Sequence, residues 1–464
     1  MLLVSACTVG PDYHRPTAKL TEHFKELPGW KLATPRDDAA KGVWWTVFGD
    51  PVLDSLERQV DIGNQTLRAD EAAYRNARAL VDEARAALYP TLDGAPGLTS
   101  SSAGGSAART QYTAEAAASW QIDVWGRIRR QVESDVAGAQ ASAATLANAR
   151  LSLQATLATA YCDLRVTDEL QRVLDGTVHN DTEALRIVQN QYTVGVTARS
   201  DVLTAQTQLD TAQSASVNVG VARAQYEHAI AVLTGQPPAA FALPVAASVP
   251  PVPEIPGMVP AALLERRPDV AAAERSMQSQ NALVGVAVAA YYPAITLSGL
   301  FGYAGNPLGG LISSANRVWS LGAEASDAIF AGGARSAAVR VARATYDESV
   351  ATYRQTVLTA FQQVEDSLST LRILANQAGI QRRAVADAQR AAQIALNEYR
   401  AGTQAYTAVI TAQNTLISAQ ETALAIEQNR LTAAVNLIAA LGGGWHAADL
   451  PSGKSLQRTN PLLP

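Results

Sequence analysis

Few residue combinations in this sequence could carry out catalysis. The stretch SGKS, residues 452–455, is similar to the end of a phosphate-binding loop, but Ala448 stands where the first glycine is needed and no apolar helix follows. The Gly-x-Ser-x-Gly motif of a serine nucleophile does not occur. The histidines are scattered and no two have metal-ligand spacing (14, 23, 179, 228 and 446). The sequence therefore predicts no enzyme, no metal site and no cofactor.

Cys7 is placed for a covalent modification. It ends the stretch LLVSAC, and an apolar segment followed by small residues and a cysteine is how bacterial lipoprotein signals end. Such a signal begins with a positive segment and a longer apolar core, so we expect the signal to start upstream of the recorded first residue. Thr8, rather than an aspartate, follows the cysteine and favours sorting to the outer membrane. The alternative for Cys7 is an ordinary N-terminal thiol.

Composition limits the class of partner. The 464 residues suffice for more than one ordinary domain, and 37 Lys and Arg against 42 Asp and Glu give a net charge of -5. This mild acidity argues against nucleic acid as a partner. Two cysteines are too few for a disulfide framework, and Cys162 is predicted to be a small buried helix residue.

Residues 111–125, QYTAEAAASWQIDVW, alternate between apolar and polar side chains. Period two predicts a strand with one apolar and one polar face. We predict three further strands, at about 91–101, 295–304 and 317–330. Trp120, Trp125 and Trp319 are candidates for a membrane–water interface, where indoles are favoured. Strand length, alternation and tryptophans together are typical of outer-membrane barrels.

The chain contains an internal duplication. NQYTVGVTARSDVLTAQTQL (190–209) aligns with NEYRAGTQAYTAVITAQNTL (397–416), and ALYPTL (87–92) aligns with AYYPAI (290–295). Each half is predicted to contain a helix, a Tyr-Pro turn, two strands and a long helical hairpin. The predicted organisation is the end of a signal, an N-terminal segment, a first repeat, a Pro-rich connector, a second repeat and a C-terminal segment (1–7, 8–50, 51–236, 237–262, 263–441 and 442–464).

The helices of each hairpin are predicted to be very long and to turn tightly. Residues Ile410, Ile417, Leu424, Leu431 and Ile438 recur every seven positions, which indicates coiled-coil packing. Gly195 and Gly402 would end the first helix of each hairpin in the left-handed conformation. Thr197 and Thr403 are predicted to cap the helix that follows. A solvated coiled-coil rod is the alternative for these helices.

Four strands cannot close a barrel. An open sheet edge in hydrocarbon leaves unpaired N–H and C=O groups that cost several kcal/mol each. Two copies would give eight strands, too few for a wide duct, whereas three copies give twelve strands and twelve helices. We therefore predict a homotrimer, with a soluble four-stranded sheet as the alternative.

The sequence resembles the TolC-like outer-membrane efflux family, in its OprM/NodT lipoprotein branch. The matching stretches span nearly the whole chain: ACTVGPDYHRP at the start, WWTVFGDPVLDSL (44–56), RRPDVAAAER (266–275), YYPAITLSG (291–299) and IFAGGAR (329–335). The resemblance implies a mainly α protein with a membrane β part. Three copies would form a 12-stranded β-barrel in the outer-membrane lipid and a 12-helix α-barrel across the periplasm, with a belt from the N-terminal, Pro-rich and C-terminal segments.

The resemblance also implies partners and a gate. The partners are a periplasmic adaptor protein and an inner-membrane pump, often of the resistance-nodulation-division type, and the duct is a passive exit for small molecules. The adaptor is expected to dock at the hairpin tips, around Gly195, Thr197, Gly402 and Thr403. Tyr399 and Asp201 match family positions that hold the periplasmic tips closed. Gln404 stands where an arginine is common, and Ala408 and Thr411 stand where relatives often have aspartates, so the charged part of the lock and a cation-binding ring are in doubt.

Simpler roles remain open for these residues. Asp201 is also suited to the first turn of a helix, and Tyr399 to packing beside Gly402. Two other functions stay open at this point: an exit duct for an ABC-type protein secretion system, and a structural coiled-coil envelope lipoprotein. The cargo is not readable, because the helices that would line the duct are rich in Thr, Ser, Gln, Asn and Ala.

Overall fold

A computed structural model gives the architecture of the chain. It describes residues 8–17, 24–26, 43–102, 104–105, 107–246, 248–253 and 266–457. Cys7 lies outside the described residues, as do parts of all three predicted belt segments. Within the described part, none of the helices has the length and apolar composition that crossing a membrane requires.

Two repeats of similar order make up the molecule. The first contains α1 (Pro51–Gly63), α2 (Gln65–Ala86), β1 (Thr91–Ser101), β2 (Arg109–Ile122), α3 (Arg127–Thr193) and α4 (Arg199–Leu233). The second contains α5 (Pro268–Ala289), β3 (Ala294–Gly305), β4 (Arg317–Ser326), α6 (Ala334–Arg400) and α7 (Tyr406–Ala440), and a short α8 (Gly453–Leu456) follows.

The second and fourth strands are shorter than the sequence pattern suggests. β2 ends at Ile122 because the next residue, Asp123, binds the first turn of α3. The Asp123 carboxylate accepts hydrogen bonds from the backbone N–H groups of Ile128 and Arg129 at 3.0 Å each. β4 ends at Ser326, and Asp327 forms an ion pair with Arg335 in the first turn of α6. In both places a carboxylate fixes the start of a long helix.

The four strands form one antiparallel sheet in the order β1-β2-β3-β4. The register aligns Ala116 with Phe301 and Phe301 with Trp319 on one face. Because strand side chains alternate, Thr113, Glu115 and Ser298 belong to the opposite, polar face. The apolar face is exposed in the protomer, with Trp319 at 70% and Leu321 at 82%. The sheet therefore has a face suited to lipid and a face suited to water, with β1 and β4 at its edges.

α3 and α6 are each 67 residues long, which corresponds to about 100 Å at 1.5 Å per residue. α3 runs without interruption through Gly138 and Gly176, where a Cβ atom would meet open space. The largest core lies beside the middle of α3 and includes Trp44, Trp45 and Tyr161. Most helical surface lies outside this core, as expected of a wall one helix thick.

Local contacts around this core explain the start of the stretch RRPDVAAAER and the burial of Cys162. Arg267 precedes α5 and binds Asp269 through two hydrogen bonds of 2.9 and 2.6 Å, while its Nη1 donates to Ala440 O at 3.0 Å. The pair therefore fixes the start of α5 against the end of α7. Cys162 is fully buried on α3 with a free thiol. Burial, reinforced by nearby carboxylates, raises the pKa of this thiol to about 12, so it is a packing residue.

Candidate gate at the hairpin tips

The two hairpin turns share one geometry. Gly195 and Gly402 have φ of +77° and +76°, and their N–H groups donate to Tyr192 O and Tyr399 O at 3.0 Å. The residue after each glycine donates five residues back, Val196 to Gln191 O and Thr403 to Glu398 O, at 2.9 and 3.0 Å. A side chain at either glycine would strain the left-handed backbone, so both turns need glycine.

The threonines at the tips do not cap the following helices, which corrects the expectation from sequence. The residues that precede α4 and α7 are Ala198 and Ala405, and neither helix has a side-chain N-cap hydrogen bond. Thr403 Oγ1 donates to Glu398 O at 3.0 Å and so satisfies the end of α6. Thr197 lies one residue too early to cap, and its hydroxyl donates to the Asp201 carboxylate.

Tyr399 comes from the second hairpin to meet this first tip. Its side chain is buried and packs against Tyr406 with ring centroids 5.2 Å apart. Burial raises the pKa of Tyr399; the neighbouring Thr197 hydroxyl lowers this pKa, and the charge of Asp201 raises it. The hydroxyl has no hydrogen-bond partner within the described residues. The structure thus brings Tyr399, Thr197 and Asp201 together from two hairpins.

The other predicted gate residues lie outside this group. Gln404 is exposed in the second turn, and Ala408 is half-buried in the first turn of α7. Thr411 donates to its own helix, Oγ1 to Thr407 O at 2.9 Å, and lines a groove of about 610 Å³ between α6 and α7. The groove lining contains no carboxylate (Gln381, Thr411, Asn414, Thr415, Ser418, Ala419 and Thr422). Nowhere in the described part of the chain do three His, Cys, Asp or Glu side chains form a group that could hold a metal.

An apolar cluster joins the two hairpins just below their tips. We call it the tip cluster, and it contains Ala184, Leu185, Val188, Ala205, Leu209, Ala395, Tyr399, Tyr406 and Val409. Two buried polar groups here were missed from sequence, one beside the cluster and one within it. Asp181 is 1% exposed with both carboxylate oxygens unpartnered, and the Tyr406 hydroxyl is also unpartnered. The sequence did contain a signal for the burial of Asp181. This residue lies four or seven positions from Leu174, Leu185 and Val188, and these spacings place it on the same, apolar face of the helix.

The predicted interface tryptophans lie at one end or on the apolar face of the sheet. Trp120 Nε1 donates to Leu88 O and Trp125 Nε1 to Pro293 O, each at 2.9 Å. Trp125 also stacks on Tyr292 with centroids 4.8 Å apart. Trp319 lies on the exposed apolar face beside Phe301. Trp120 and Trp125 therefore mark the junction between the sheet and the helices.

The N-terminal segment is fastened at this same junction. Val9 N donates to Trp125 O at 3.1 Å, and the buried Arg130 on α3 contacts Val9 O, Gly10 O and Asp12. A Cβ atom on Gly10 would lie 2.4 Å from the Cα of Gly285, so the segment passes against the α5 backbone. The described chain therefore starts next to the membrane end of α3.

A sheet with a lipid-type face and two open edges, continued by long polar-walled hairpins, defines a subunit of an outer-membrane duct. The family model described as outer membrane efflux protein matches residues 58–236 and 259–443, and the chain belongs to this family. Like its members, it is the outer-membrane exit duct of an efflux pump and crosses the periplasm with its helices.

Named relatives cover nearly the whole chain. The pyoverdine export outer membrane protein OpmQ of Pseudomonas aeruginosa is 31% identical over 473 residues, covering 96% of this chain and 97% of the relative. The antibiotic efflux pump outer membrane protein ArpC and the toluene efflux pump outer membrane protein TtgC, both of Pseudomonas putida, are each 29% identical over 455 residues, covering 96% of this chain and 94% of the relative.

Solved structures agree with this assignment. The outer-membrane channel OprN has a TM-score of 0.88 at 30% identity, covering 95% of this chain and all of the solved one. The open state of the Neisseria gonorrhoeae MtrE channel has a TM-score of 0.85 at 26% identity, covering 94% and 98%. The fold is therefore the TolC-like one, in which three copies form a 12-stranded β-barrel continued by a 12-helix α-barrel.

Proposed function

We propose that this duct is a passive, gated exit for small toxic molecules that a pump delivers to its periplasmic tips. The partners would be a periplasmic adaptor and an inner-membrane pump of the resistance-nodulation-division type. The main support for passive conduction is the groove beside Thr411 and Asn414, whose lining is polar and uncharged. Such a surface offers hydrogen bonds to many solutes and selects few.

The relatives support a duct that does not choose its cargo. Their names assign pyoverdine, antibiotics and toluene to proteins of similar sequence, and these compounds differ in charge and size. Specificity then belongs to the pump. A deletion strain tested against antibiotics, metals, organic solvents and aromatic acids identifies the cargo class. Unchanged sensitivity to all four classes would contradict a role in detoxification.

The gate would be the meeting point of Tyr399, Thr197 and Asp201. Thr197 binds Asp201 within the first tip, and Tyr399 from the second hairpin lies beside Thr197 and near the charge of Asp201. Separating the hairpins would remove Tyr399 from the first tip, so its position there favours the closed state. The Thr197–Asp201 bond lies within one hairpin and shapes the surface that Tyr399 meets. Gln404 is exposed and carries no charge, which leaves this network without the arginine common in the family.

Planar bilayer recordings test the gate with the double variant Tyr399→Ala and Asp201→Ala, which removes the ring of the second hairpin and the acceptor of Thr197 in the first. Losing contacts that contribute about 1.4 kcal/mol raises the ratio of open to closed channels roughly tenfold. The matched control is Tyr192→Ala with Asp210→Ala, because Tyr192 aligns with Tyr399 in the duplication and both control residues are exposed. An equal rise in both double variants, or none in the first, contradicts the assignment.

The lipid anchor at Cys7 is a further part of the proposal. Thr8 lies against Gly126 at the junction of sheet and helices, where an acyl chain on the preceding residue would reach the inner leaflet. Mass spectrometry of the mature protein should find an acylated cysteine as the first residue. Cys7→Ser should abolish the acylation and leave the folded barrel intact. The contacts that hold the N-terminal segment against the rest of the protein begin at Thr8 and Val9 in the described structure.

A further inference from the structure

A buried carboxylate lies between the two hairpins just below their tips. Asp181 projects from α3 beside the tip cluster and is 1% exposed, and neither oxygen has a hydrogen-bond partner in the described structure. A polar group removed from water without a partner costs free energy, and an ionised one costs far more. The closed hairpins therefore accommodate Asp181 best when its carboxyl is neutral.

The groups around Asp181 do not compensate a negative charge. α4 presents the Gln208 amide, whose Nε2 donates to Asn414 Oδ1 at 2.9 Å. α7 presents the Tyr406 hydroxyl, and α6 presents Tyr399 behind it. On α3 itself, His179 is exposed, and Glu183 is paired with Arg186.

The other charged side chains near Asp181 interact with other residues. Asp201 is held by Thr197, and Arg400 acts on Glu183 rather than on Asp181. No basic side chain in the described residues forms an ion pair with Asp181. Burial consequently raises the pKa of Asp181 to about 6, with only partial relief from Gln208.

We propose that Asp181 makes closure of the hairpin tips dependent on pH: its proton keeps the hairpins packed together, and loss of that proton favours their separation. The proposal rests on the gate described above. Separation gives water to a carboxylate that has no partner in the closed state. The side chains that meet Asp181 from the neighbouring helices are the Gln208 amide and the Tyr406 hydroxyl, and neither carries a positive charge that would hold the ionised carboxylate in the closed state.

The direction follows from which state binds the proton more tightly. The closed state has the raised pKa of about 6, whereas an open, hydrated Asp181 would have the ordinary value of 3.8. The closed state is therefore most favoured below pH 3.8. The open-to-closed ratio increases as the pH rises to about 6 and is constant above that pH. Each unit of difference between the two pKa values of Asp181 changes this ratio tenfold, so the ratio rises up to about a hundredfold per subunit.

Bilayer recordings of the full-length protein between pH 4 and 7.5 test the proposal. The wild type should open increasingly up to pH 6 and then level off. Asp181→Asn, which is neutral at every pH, should stay at the low-pH level throughout. Asp175→Asn makes the same change on an exposed position of the same helix, six residues earlier, and should keep the wild-type profile.

A second variant decides the question if Asp181→Asn does not assemble. Gln208→Leu removes the amide that favours the ionised form, so the midpoint of opening should move to higher pH. A wild-type profile in Asp181→Asn, or an unmoved midpoint in Gln208→Leu, overturns the proposal, as does a wild type that opens equally at all pH values. Absence of conductance at every pH would instead count against the gated duct itself.

Discussion

The two hairpins have the same dimensions but different surroundings. In each, the first helix has 67 residues and the second 35, and both turn at a left-handed glycine. α3 packs against α1, α2, α4, α5 and α7, whereas α6 packs mainly against α5 and α7. Accordingly α3 buries charged residues such as Arg165 and Asp168, while α6 keeps Asp387 and Arg390 exposed. The two repeats therefore share helix length and turn geometry. They differ in packing, because the first hairpin is surrounded by more helices of the protomer than the second.

The tips diverge in the same way. The first tip supplies Thr197 and Asp201, which are bonded to each other, and the second supplies the ring pair Tyr399 and Tyr406. One hairpin therefore contributes charge and the other contributes aromatic surface to a single contact. In the proposed gate this asymmetry avoids placing two acidic tips against each other, where like charges would repel.

The largest effect should come from the charge buried on α3. Asp168 accepts from Arg165 Nη1 at 3.2 Å, Arg223 Nε at 2.8 Å and Ala246 N at 3.1 Å. Asp168→Ala leaves Arg165 buried and uncompensated, so we expect it to lower the free energy of unfolding by about 3–5 kcal/mol. Urea unfolding followed by circular dichroism in detergent measures this loss.

The matched change on α6 is Asp387→Ala. The Asp387 and Arg390 side chains are 75% and 78% exposed. An exposed pair contributes at most about 1 kcal/mol, so this variant should unfold close to the wild-type midpoint. Equal losses in the two variants would show that the embedding of α3 does not distinguish the hairpins.

A smaller effect is expected in the sheet. A Cβ atom on Gly302 would lie 2.5 Å from Ala114 O and 2.7 Å from Glu115 Cα, whereas nothing lies within 4 Å of one on Gly94. Gly302→Val forces β2 and β3 apart at a cost of about 1–3 kcal/mol. The yield of heat-resistant oligomer on gels should therefore fall for Gly302→Val and stay near wild type for Gly94→Val.

The smallest effect should be shared by the two turns. Gly195→Ala and Gly402→Ala each place a Cβ in the left-handed region, which costs about 1–2 kcal/mol, and both positions have open space around them. The losses in unfolding free energy should match within error because the turn geometries match. A loss at one turn alone would break the equivalence of the repeats.

Several features of the fold could be predicted because they depend on neighbours in sequence. The alternation around Tyr112 and Trp120 defines the two faces of β2, and Gly195 and Gly402 mark the turns through their own backbone conformation. The sequence pattern placed the ends of β2 and β4 too late, because it cannot show that the Asp123 and Asp327 carboxylates bind the first turns of the helices that follow. It also misassigned Thr197 and Thr403, whose hydroxyls bond to Asp201 and Glu398 instead of capping a helix.

The duplication, the long helices, the two-faced strands and the family can all be predicted from the amino-acid sequence, since they depend on periodicity, local conformation and motif order. Three features follow from the folded structure alone: Asp181 lies unpartnered between the hairpins, Tyr399 meets Thr197, and Val9 binds Trp125. Those facts join residues about a hundred to two hundred positions apart, and burial depends on what packs across that distance rather than on the residue's neighbours in sequence.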